Sequence, residues 1–335
     1  MVTTAPVRDS DATLRAGQLV EVRSAEEIAA TLDENGELES LPFMPEMLKH
    51  CGRQFTVGKV ANKLCDTIGR SGIHKMTNAV HLNELRCDGS AHGGCEAACM
   101  IYWKTAWLRP VTETSPAPTI AVNAPTAIML TLTDVSRRVE GDGTTAYRCQ
   151  ATEILRAAPQ VLPARDLSQY IDDVRFGNVG AAWSVRALLI GLFNRYQDLS
   201  RRTLPTWLQI RRGLPWGFLR GEAGKTPTAR TDLQPGELVR IKSKQEIERT
   251  LNSDLLNRGL GFHVEMARFC GRTARVSRRV TQILDEKTGR MIYMKNPCIV
   301  LEGIVCEGVY TANCPRAIPA YWREIWLDRV DEPAG

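Results

Sequence analysis

The chain has 335 residues, of which 43% are hydrophobic and 24% are charged. This is the composition of a globular protein of two or three domains, and it excludes a disordered chain. The formal net charge of +5 is mild, so it permits an acidic partner but does not indicate nucleic-acid binding. We find neither the apolar core of a secretory signal nor a run of about 18 apolar residues that could span a membrane. These features predict a cytoplasmic protein.

Ten cysteines are the most informative part of the composition. In a reducing cytoplasm disulfides are rare, and clustered cysteines more often bind a metal or take part in redox chemistry. The densest cluster is RCDGSAHGGCEAAC at residues 86–99, whose small and polar neighbours are unsuited to a hydrophobic core. This stretch is therefore the first candidate for a metal site.

A tandem duplication organises the chain. When the sequence is shifted by 219 positions, residues 17–108 align without a gap on residues 236–327, and 27 of the 92 aligned residues are identical. The duplication predicts five regions, which are a flexible N-terminus (1–16), a first repeat (17–110), a middle region (111–234), a second repeat (235–330) and a tail (331–335).

Each repeat is predicted to consist mainly of short β-strands. It opens with G-x-L-V, and a short helix follows in which Ser24 or Ser243 forms a capping box with the glutamate three residues later. Strand-like stretches lie at 53–61, 78–85 and 102–108, with counterparts in the second repeat. The entry strand resembles that of SH3-like barrels. This resemblance implies a mainly β (α+β) fold with two tandem SH3-like small β-barrels, joined by a strand-plus-helix middle region.

The middle region differs in character from the repeats. Residues 115–127 are a Pro/Ala-rich linker, and the stretches at 128–139 and 145–155 are predicted to be two strands around a GDG turn. Residues 179–202 have the pattern of an amphipathic helix with several arginines. The simpler interpretation is that this helix packs across the two barrels, and the alternative is that it lies on a membrane surface.

Three cysteines of each repeat coincide under the 219-residue shift. The pairs are Cys51 and Cys270, Cys87 and Cys306, and Cys95 and Cys314. Each repeat also contains enough cysteines for a site of four thiolates, which is what an iron–sulfur cluster or a structural zinc ion requires. The predicted metal ligands are Cys65, Cys87, Cys95 and Cys99 in the first repeat, and Cys270, Cys298, Cys306 and Cys314 in the second.

The spacing of these cysteines favours a cluster without excluding zinc. The shared C-x7-C spacing with glycine-rich filling suits a cluster whose sulfurs accept backbone N–H groups. Structural zinc prefers two to four residues between cysteines, which only Cys95 and Cys99 offer. Cys51, Cys149 and Cys270 are explained equally well as core residues, because a buried thiol behaves as a small apolar group.

The segment CDGSAH at residues 87–92 resembles the Cys-Asp-Gly-Ser-His motif of the CDGSH-type iron–sulfur proteins. In that family three cysteines and one histidine hold a [2Fe–2S] cluster, so the resemblance implies a role for His92 as a ligand or as a proton donor near the cluster. The sequence departs from the pattern because Ala91 precedes His92 and the upstream C-x-C pair is missing. The second repeat has Thr311 in place of His92, so a site common to both repeats would lack the histidine.

The favoured interpretation is an iron–sulfur protein with one or two clusters that works in electron transfer or redox catalysis with a protein redox partner. One alternative is a zinc-stabilised pair of SH3-like modules that binds protein or nucleic acid. Another is a scaffold peripheral to the membrane, attached through residues 179–202. The sequence contains no Walker A, GxSxG or HExxH motif, so it identifies neither a substrate nor an enzymatic reaction.

Overall fold

The computed structural model describes residues 13–112, 126–163, 165–217 and 219–330. Most of the predicted N-terminal segment, most of the Pro/Ala-rich linker and the tail lie outside these residues. Within them the chain is mixed α/β, and its strands form several antiparallel sheets. No helix of the described ranges has both the length and the apolar character needed to cross a bilayer.

The described residues before 113 form one five-stranded sheet and smaller strand pairs. The elements are β1 (Leu19–Val22), α1 (Ala25–Ala29), β2 (Glu37–Leu38), β3 (Leu41–Pro42), β4 (Gln54–Val60), β5 (Lys63–Cys65), β6 (Ile73–Lys75), β7 (Ala79–Leu82), β8 (Trp103–Lys104) and β9 (Leu108–Pro110), with 3-10 helices at Pro45–His50 and Thr105–Trp107. The sheet has the order β8-β7-β4-β1-β9. Its core is centred on Trp103 and Trp107, which are fully buried and meet Phe43 edge to face.

The middle region is more helical than predicted. Its elements are α2 (Thr126–Val135), β10 (Arg137–Val139), β11 (Thr145–Tyr147), α3 (Gln150–Ala157), β12 (Val161–Leu162), α4 (Ser168–Arg175) and α5 (Ala181–Thr203), with 3-10 helices at Thr206–Leu208 and Ile210–Gly213. The prediction of two long strands around the GDG turn is wrong except for the short hairpin of β10 and β11. Helix α3 forms because Ile154 and Ala157, one turn apart, both face the core of the first repeat.

The helix predicted over residues 179–202 is confirmed as α5. It packs on α4 and on the 3-10 helix at Ile210–Gly213. The Trp183 ring near its start also lies under the guanidinium of Arg268, at 5.1 Å from the ring centre. These contacts leave one long face of the helix exposed.

The second repeat contains a sheet of the same order as the first. Its elements are β13 (Leu238–Ile241), α6 (Lys244–Glu248), β14 (Leu256–Asn257), β15 (Leu260–Gly261), β16 (Thr273–Leu284), β17 (Met291–Val305), β18 (Pro319–Trp322) and β19 (Leu327–Arg329), with 3-10 helices at Met266–Arg268 and Glu324–Trp326. The sheet has the order β18-β17-β16-β13-β19. Leu19 lies opposite Thr56 in the first sheet and Leu238 lies opposite Arg275 in the second, so this pairing repeats after 219 residues. The predicted capping boxes at the starts of α1 and α6 are both confirmed.

Neither five-stranded sheet closes into a barrel within the part of the chain that the structure describes. The edge strands β8 and β9 of the first sheet are not paired with each other, and neither are β18 and β19 of the second. These edge strands are short, with two to four residues each. The mixed α/β class is therefore observed, and the two predicted SH3-like barrels are not confirmed.

A buried ion pair connects the first repeat, the middle region and the second repeat. The Lys63 ammonium donates to Asp173 Oδ2 at 2.7 Å and to the Gln169 carbonyl at 3.0 Å. The Asn313 amide donates to the same Asp173 oxygen at 3.1 Å. The Lys63 and Asp173 side chains are both 0% exposed. Burial lowers the pKa of Lys63 and raises that of Asp173, and their mutual attraction opposes both shifts.

Candidate metal centre

The first cysteine-rich loop, residues 87–99, is closed by its own backbone. The Cys87 N–H donates to the Cys99 carbonyl at 2.9 Å, and the N–H groups of His92 and Gly94 both donate to the Gly89 carbonyl, at 3.1 and 2.9 Å. Gly89 has a φ of +73°, and a Cβ at this position would collide with the backbone of Cys95. Glycine is therefore required here both by the backbone conformation and by the close approach.

The second loop, residues 306–318, has the same backbone frame. Cys306 N–H donates to the Ile318 carbonyl at 2.8 Å, while the N–H groups of Thr311 and Asn313 share the Gly308 carbonyl, at 3.0 and 2.8 Å. Each of these bonds corresponds to one of the first loop after 219 residues. The loops differ in the side chains that they carry, because the first has His92 and Cys99 where the second has threonine and isoleucine.

Gly89→Ala is expected to lower the free energy of unfolding by about 1–3 kcal/mol, because a residue other than glycine would be held in a left-handed conformation. The collision of its Cβ with the Cys95 backbone adds to this cost. Urea denaturation measures the change. Gly141→Ala is the matched control, because a Cβ there meets open space. Equal unfolding midpoints for the two variants would contradict the described loop.

The first loop encloses one side of a cavity of about 50 Å³ that four cysteines line. These are Cys87, Cys95 and Cys99 of the loop and Cys149 of the middle region. Cys149 directly precedes α3, where its N–H donates to the Thr152 hydroxyl at 3.0 Å and so sets the start of the helix. The same cavity is lined by Glu46, His92 and Arg316. The cavity therefore combines thiols from two separate segments with a carboxyl group and an imidazole.

Glu46, Cys87 and His92 form a close group in this cavity. The Cys87 sulfur lies 3.3 Å from His92 Nε2 and 3.5 Å from Glu46 Oε1, and His92 Nδ1 lies 3.6 Å from the same glutamate oxygen. All three ligand atoms lie within 4.8 Å of one another, so these residues could hold a metal ion. Glu46 Oε2 and His92 Nδ1 are buried and have no hydrogen-bond partner. Buried polar atoms without partners are uncommon, and a bound cation would satisfy them.

Burial favours the neutral forms of these three groups. It raises the pKa of Glu46, lowers that of His92 to about 4, and, together with the charge of Glu46, raises that of the Cys87 thiol. Burial also raises the pKa of the Cys99 thiol, to about 11. A cation in the cavity would reverse this preference for the thiol and the carboxyl group, because it stabilises thiolate and carboxylate, and it would bind the imidazole in its neutral form.

The distances between the ligands bear on the kind of metal. A tetrahedral zinc ion with Zn–S bonds of about 2.3 Å brings its sulfurs to about 3.8 Å from one another. The close group contains one sulfur, that of Cys87, and the other three thiols of the cavity lie outside it. In a [4Fe–4S] cluster the four cysteines each bind a separate iron, whereas in a [2Fe–2S] cluster two cysteines bind each iron. Glu46, Cys87 and His92 could thus hold a single ion, and the four thiols that line the cavity are of the residue type that binds iron–sulfur clusters.

The structure assembles the predicted ligand set of the first repeat only in part. Cys87, Cys95 and Cys99 come together, but Cys65 lies at the second loop, where its N–H donates to the Cys314 sulfur at 3.2 Å. Burial by itself would raise the pKa of the Cys314 thiol, but a hydrogen bond from the Cys65 thiol lowers it. The same hydrogen bond between the thiols, together with burial, raises the pKa of Cys65.

The four cysteines predicted for the second repeat lie in different environments. Cys306 and Cys314 belong to the second loop. Cys298 is buried in β17 between Val280 and Val300, and Cys270 packs against the core of the second repeat. This set is therefore not brought together as one group.

The two repeats exchange backbone hydrogen bonds to their loop cysteines. Leu284 N–H, at the end of β16, donates to the Cys95 sulfur at 3.2 Å. Its counterpart 219 residues earlier is Cys65, whose bond to Cys314 has the same length. The hairpin of each repeat thus reaches the loop of the other, and this explains why Cys65 does not join its own repeat's loop.

Sequence reasoning missed Cys149 as a neighbour of the first loop. It has no counterpart in either repeat, and nothing in its local sequence distinguishes it from a core cysteine. Glu46 did carry a signal, because it and Glu265 are matched acids five residues before a matched cysteine. Glu265 accepts the Tyr310 N–H at 2.9 Å, whereas Glu46 faces Cys87 and His92.

Comparison with protein-family models, with curated proteins and with solved structures gives no match. The functional conclusion therefore depends on the geometry of the cavity.

Proposed function

We propose that this protein binds one iron–sulfur cluster in the cavity behind the first loop and acts in electron transfer with a protein redox partner. The observation that carries the proposal is that Cys87, Cys95, Cys99 and Cys149 line a single cavity although they come from two separate segments. Four thiolates are the usual ligand set of [2Fe–2S] and [4Fe–4S] clusters. When bound, such a cluster supplies one-electron transfer.

The surroundings of the four thiols support this proposal. The Leu284 N–H already donates to the Cys95 sulfur, and hydrogen bonds to cluster sulfurs tune the reduction potential. Cys95 and Cys149 are buried, whereas Cys87 and Cys99 are half-buried. One side of the cavity thus lies close to the surface, as electron exchange with a partner requires. His92 and Glu46 stand beside Cys87 and would orient it or hold a proton next to it.

The proposal includes a tandem duplication of an SH3-like unit in which only the first repeat acquired the complete site. It is supported by the 219-residue relation in the strand pairings and in the loop hydrogen bonds. The first loop carries Cys99 and His92, and the second has Ile318 and Thr311 at these places. The second loop brings together three thiols, those of Cys306, Cys314 and the approaching Cys65, whereas four are the usual ligand set of a cluster. We therefore assign one cluster, at the first loop.

Anaerobic purification followed by iron and acid-labile sulfide analysis tests this function. We expect iron and sulfide in equal numbers per chain and a visible absorption band that dithionite bleaches. Colourless protein that carries stoichiometric zinc would overturn the proposal.

A second candidate is a single zinc ion held by Glu46, Cys87 and His92, which would stabilise an interaction module. The observation in its favour is that their ligand atoms all lie within 4.8 Å. Two substitutions separate the candidates. His92→Ala should remove a three-ligand zinc ion and leave a four-thiolate cluster in place, whereas Cys149→Ser should do the reverse. Metal content per chain, measured by mass spectrometry, decides between them.

A further inference from the structure

Helix α5 exposes a continuous apolar face. Thirteen of the twenty large apolar residues that are exposed in the described ranges lie between 167 and 216, which singles out this part of the surface. On α5 they follow one another at intervals of four and three residues, so they form one stripe along the helix. The stripe consists of Val185, Leu189, Leu192, Tyr196 and Leu199. Ala187, Ile190 and Gln197 are buried on the opposite side.

The chain that follows α5 adds further exposed apolar groups. It turns back against the helix, and the Gln197 amide holds it by donating to the carbonyls of Ile210 and Leu214, at 2.6 and 2.8 Å. Trp207 in this segment is 81% exposed, and Ile210 is also exposed. Tryptophan is enriched at the boundary between lipid and water, where its apolar ring and its N–H are both accommodated.

The charged residues of α5 and of the chain that follows it are mostly arginines. Residues 181–216 contain six arginines and a single acidic residue, Asp198. By the helical repeat, Arg195 and Arg202 flank the stripe on one side and Arg186 flanks it on the other. Long arginine side chains can lie along an apolar surface while their guanidinium groups reach outward to anions.

This charge argues against a second copy of the chain as the partner of the stripe. The spacing is that of a coiled-coil seam, but the charged residues beside the seam are all arginines. Two such helices would bring like charges together with no acidic residue beside the seam to pair them. The face requires a partner that is apolar and negatively charged at once.

We propose that the α5 face binds an anionic membrane surface, with the helix lying parallel to the bilayer. The apolar stripe and Trp207 would enter the boundary between headgroups and acyl chains, and the flanking arginines would pair with lipid phosphates. This proposal is independent of the metal site and stands or falls separately from it.

Co-sedimentation of the full chain with lipid vesicles tests the proposal. We expect binding to phosphatidylcholine vesicles that contain phosphatidylglycerol, at least about tenfold weaker binding to phosphatidylcholine alone, and weakening by salt. Leu189→Glu should reduce binding by about tenfold or more, because it places a charge in the stripe. Leu130→Glu is the matched control, since Leu130 on α2 is 64% exposed and Leu189 is 60% exposed, and it should bind as the unaltered protein does.

Three results would overturn the proposal. The first is absence of binding to the anionic vesicles, and the second is equal loss of binding in the Leu189 and Leu130 variants. The third is a dimer in sedimentation velocity that Leu189→Glu dissociates, since the stripe would then be covered by a second copy. Circular dichroism checks that both variants keep their helices, as expected for substitutions at exposed positions.

Discussion

Cys149→Ser is expected to remove iron from the protein as completely as Cys87→Ser, with at least about a tenfold fall in iron and sulfide per chain. The reason is that Cys149 lines the same cavity as the three cysteines of the first loop, although it lies in the middle region. Serine has nearly the same shape as cysteine but is a much poorer ligand for iron. The measurement is iron and sulfide analysis of each variant after anaerobic purification.

Two controls show whether any loss of iron is specific to the cavity. Cys51→Ser changes a buried cysteine in the core of the first repeat, away from the cavity lining, and should leave the iron content unchanged. Cys65→Ser should also retain iron, because Cys65 lies beside Cys314 at the second loop. Loss of iron in the Cys65 variant together with retention in the Cys149 variant would show that the ligands follow the repeats rather than the cavity.

Asp173→Ala is expected to lower the free energy of unfolding by about 3–5 kcal/mol. The substitution leaves the Lys63 ammonium buried with the Gln169 carbonyl as its remaining hydrogen-bond partner, and it removes the acceptor of the Asn313 amide. A buried charge without its counter-ion is costly because nothing replaces its lost hydration. Urea denaturation, with the slope compared between variants, measures the loss.

The exposed ion pair between Arg240 and Asp328 provides the matched control. Its side chains are 57% and 35% exposed, so Asp328→Ala should change stability by no more than about 1 kcal/mol. The double variant Lys63→Met with Asp173→Leu should recover much of the lost stability, because it removes both buried charges and fills the space. An Asp173→Ala protein that is as stable as the Asp328→Ala protein would show that the pair is not buried as described.

The stretches 128–139 and 145–155 are predicted as strands from their sequence pattern, but the structure forms helices α2 and α3 over most of them. The stretch 128–139 is rich in apolar and β-branched residues, which suits either a buried strand or a helix. For the other predicted strand, residues 145–155, packing decided the structure, because the Gln150 amide donates to the carbonyls of Pro42 and Tyr102, at 3.0 and 2.9 Å, and places α3 on the first repeat. Such contacts between distant segments leave no local pattern.

The sequence by itself determined the features that depend on neighbours along the chain or on the repeat. The capping boxes of Ser24 and Ser243 form because the glutamate three residues later is within reach of the first turn. Helix α5 was predictable from its periodicity. Gly89 likewise permits the close turn of the first loop, although the structure packs Ala91 and Cys95 of this loop into the core of the first repeat.

Only the tertiary structure decided which thiols share a cavity. Cys149 joins the first loop through the docking of α3, and Cys65 joins the second loop because the hairpin of one repeat extends onto the loop of the other. Spacing along a chain limits the distance between two residues only over a few positions. Beyond that, their proximity depends on the sum of many weak packing contacts, which the order of the residues does not display.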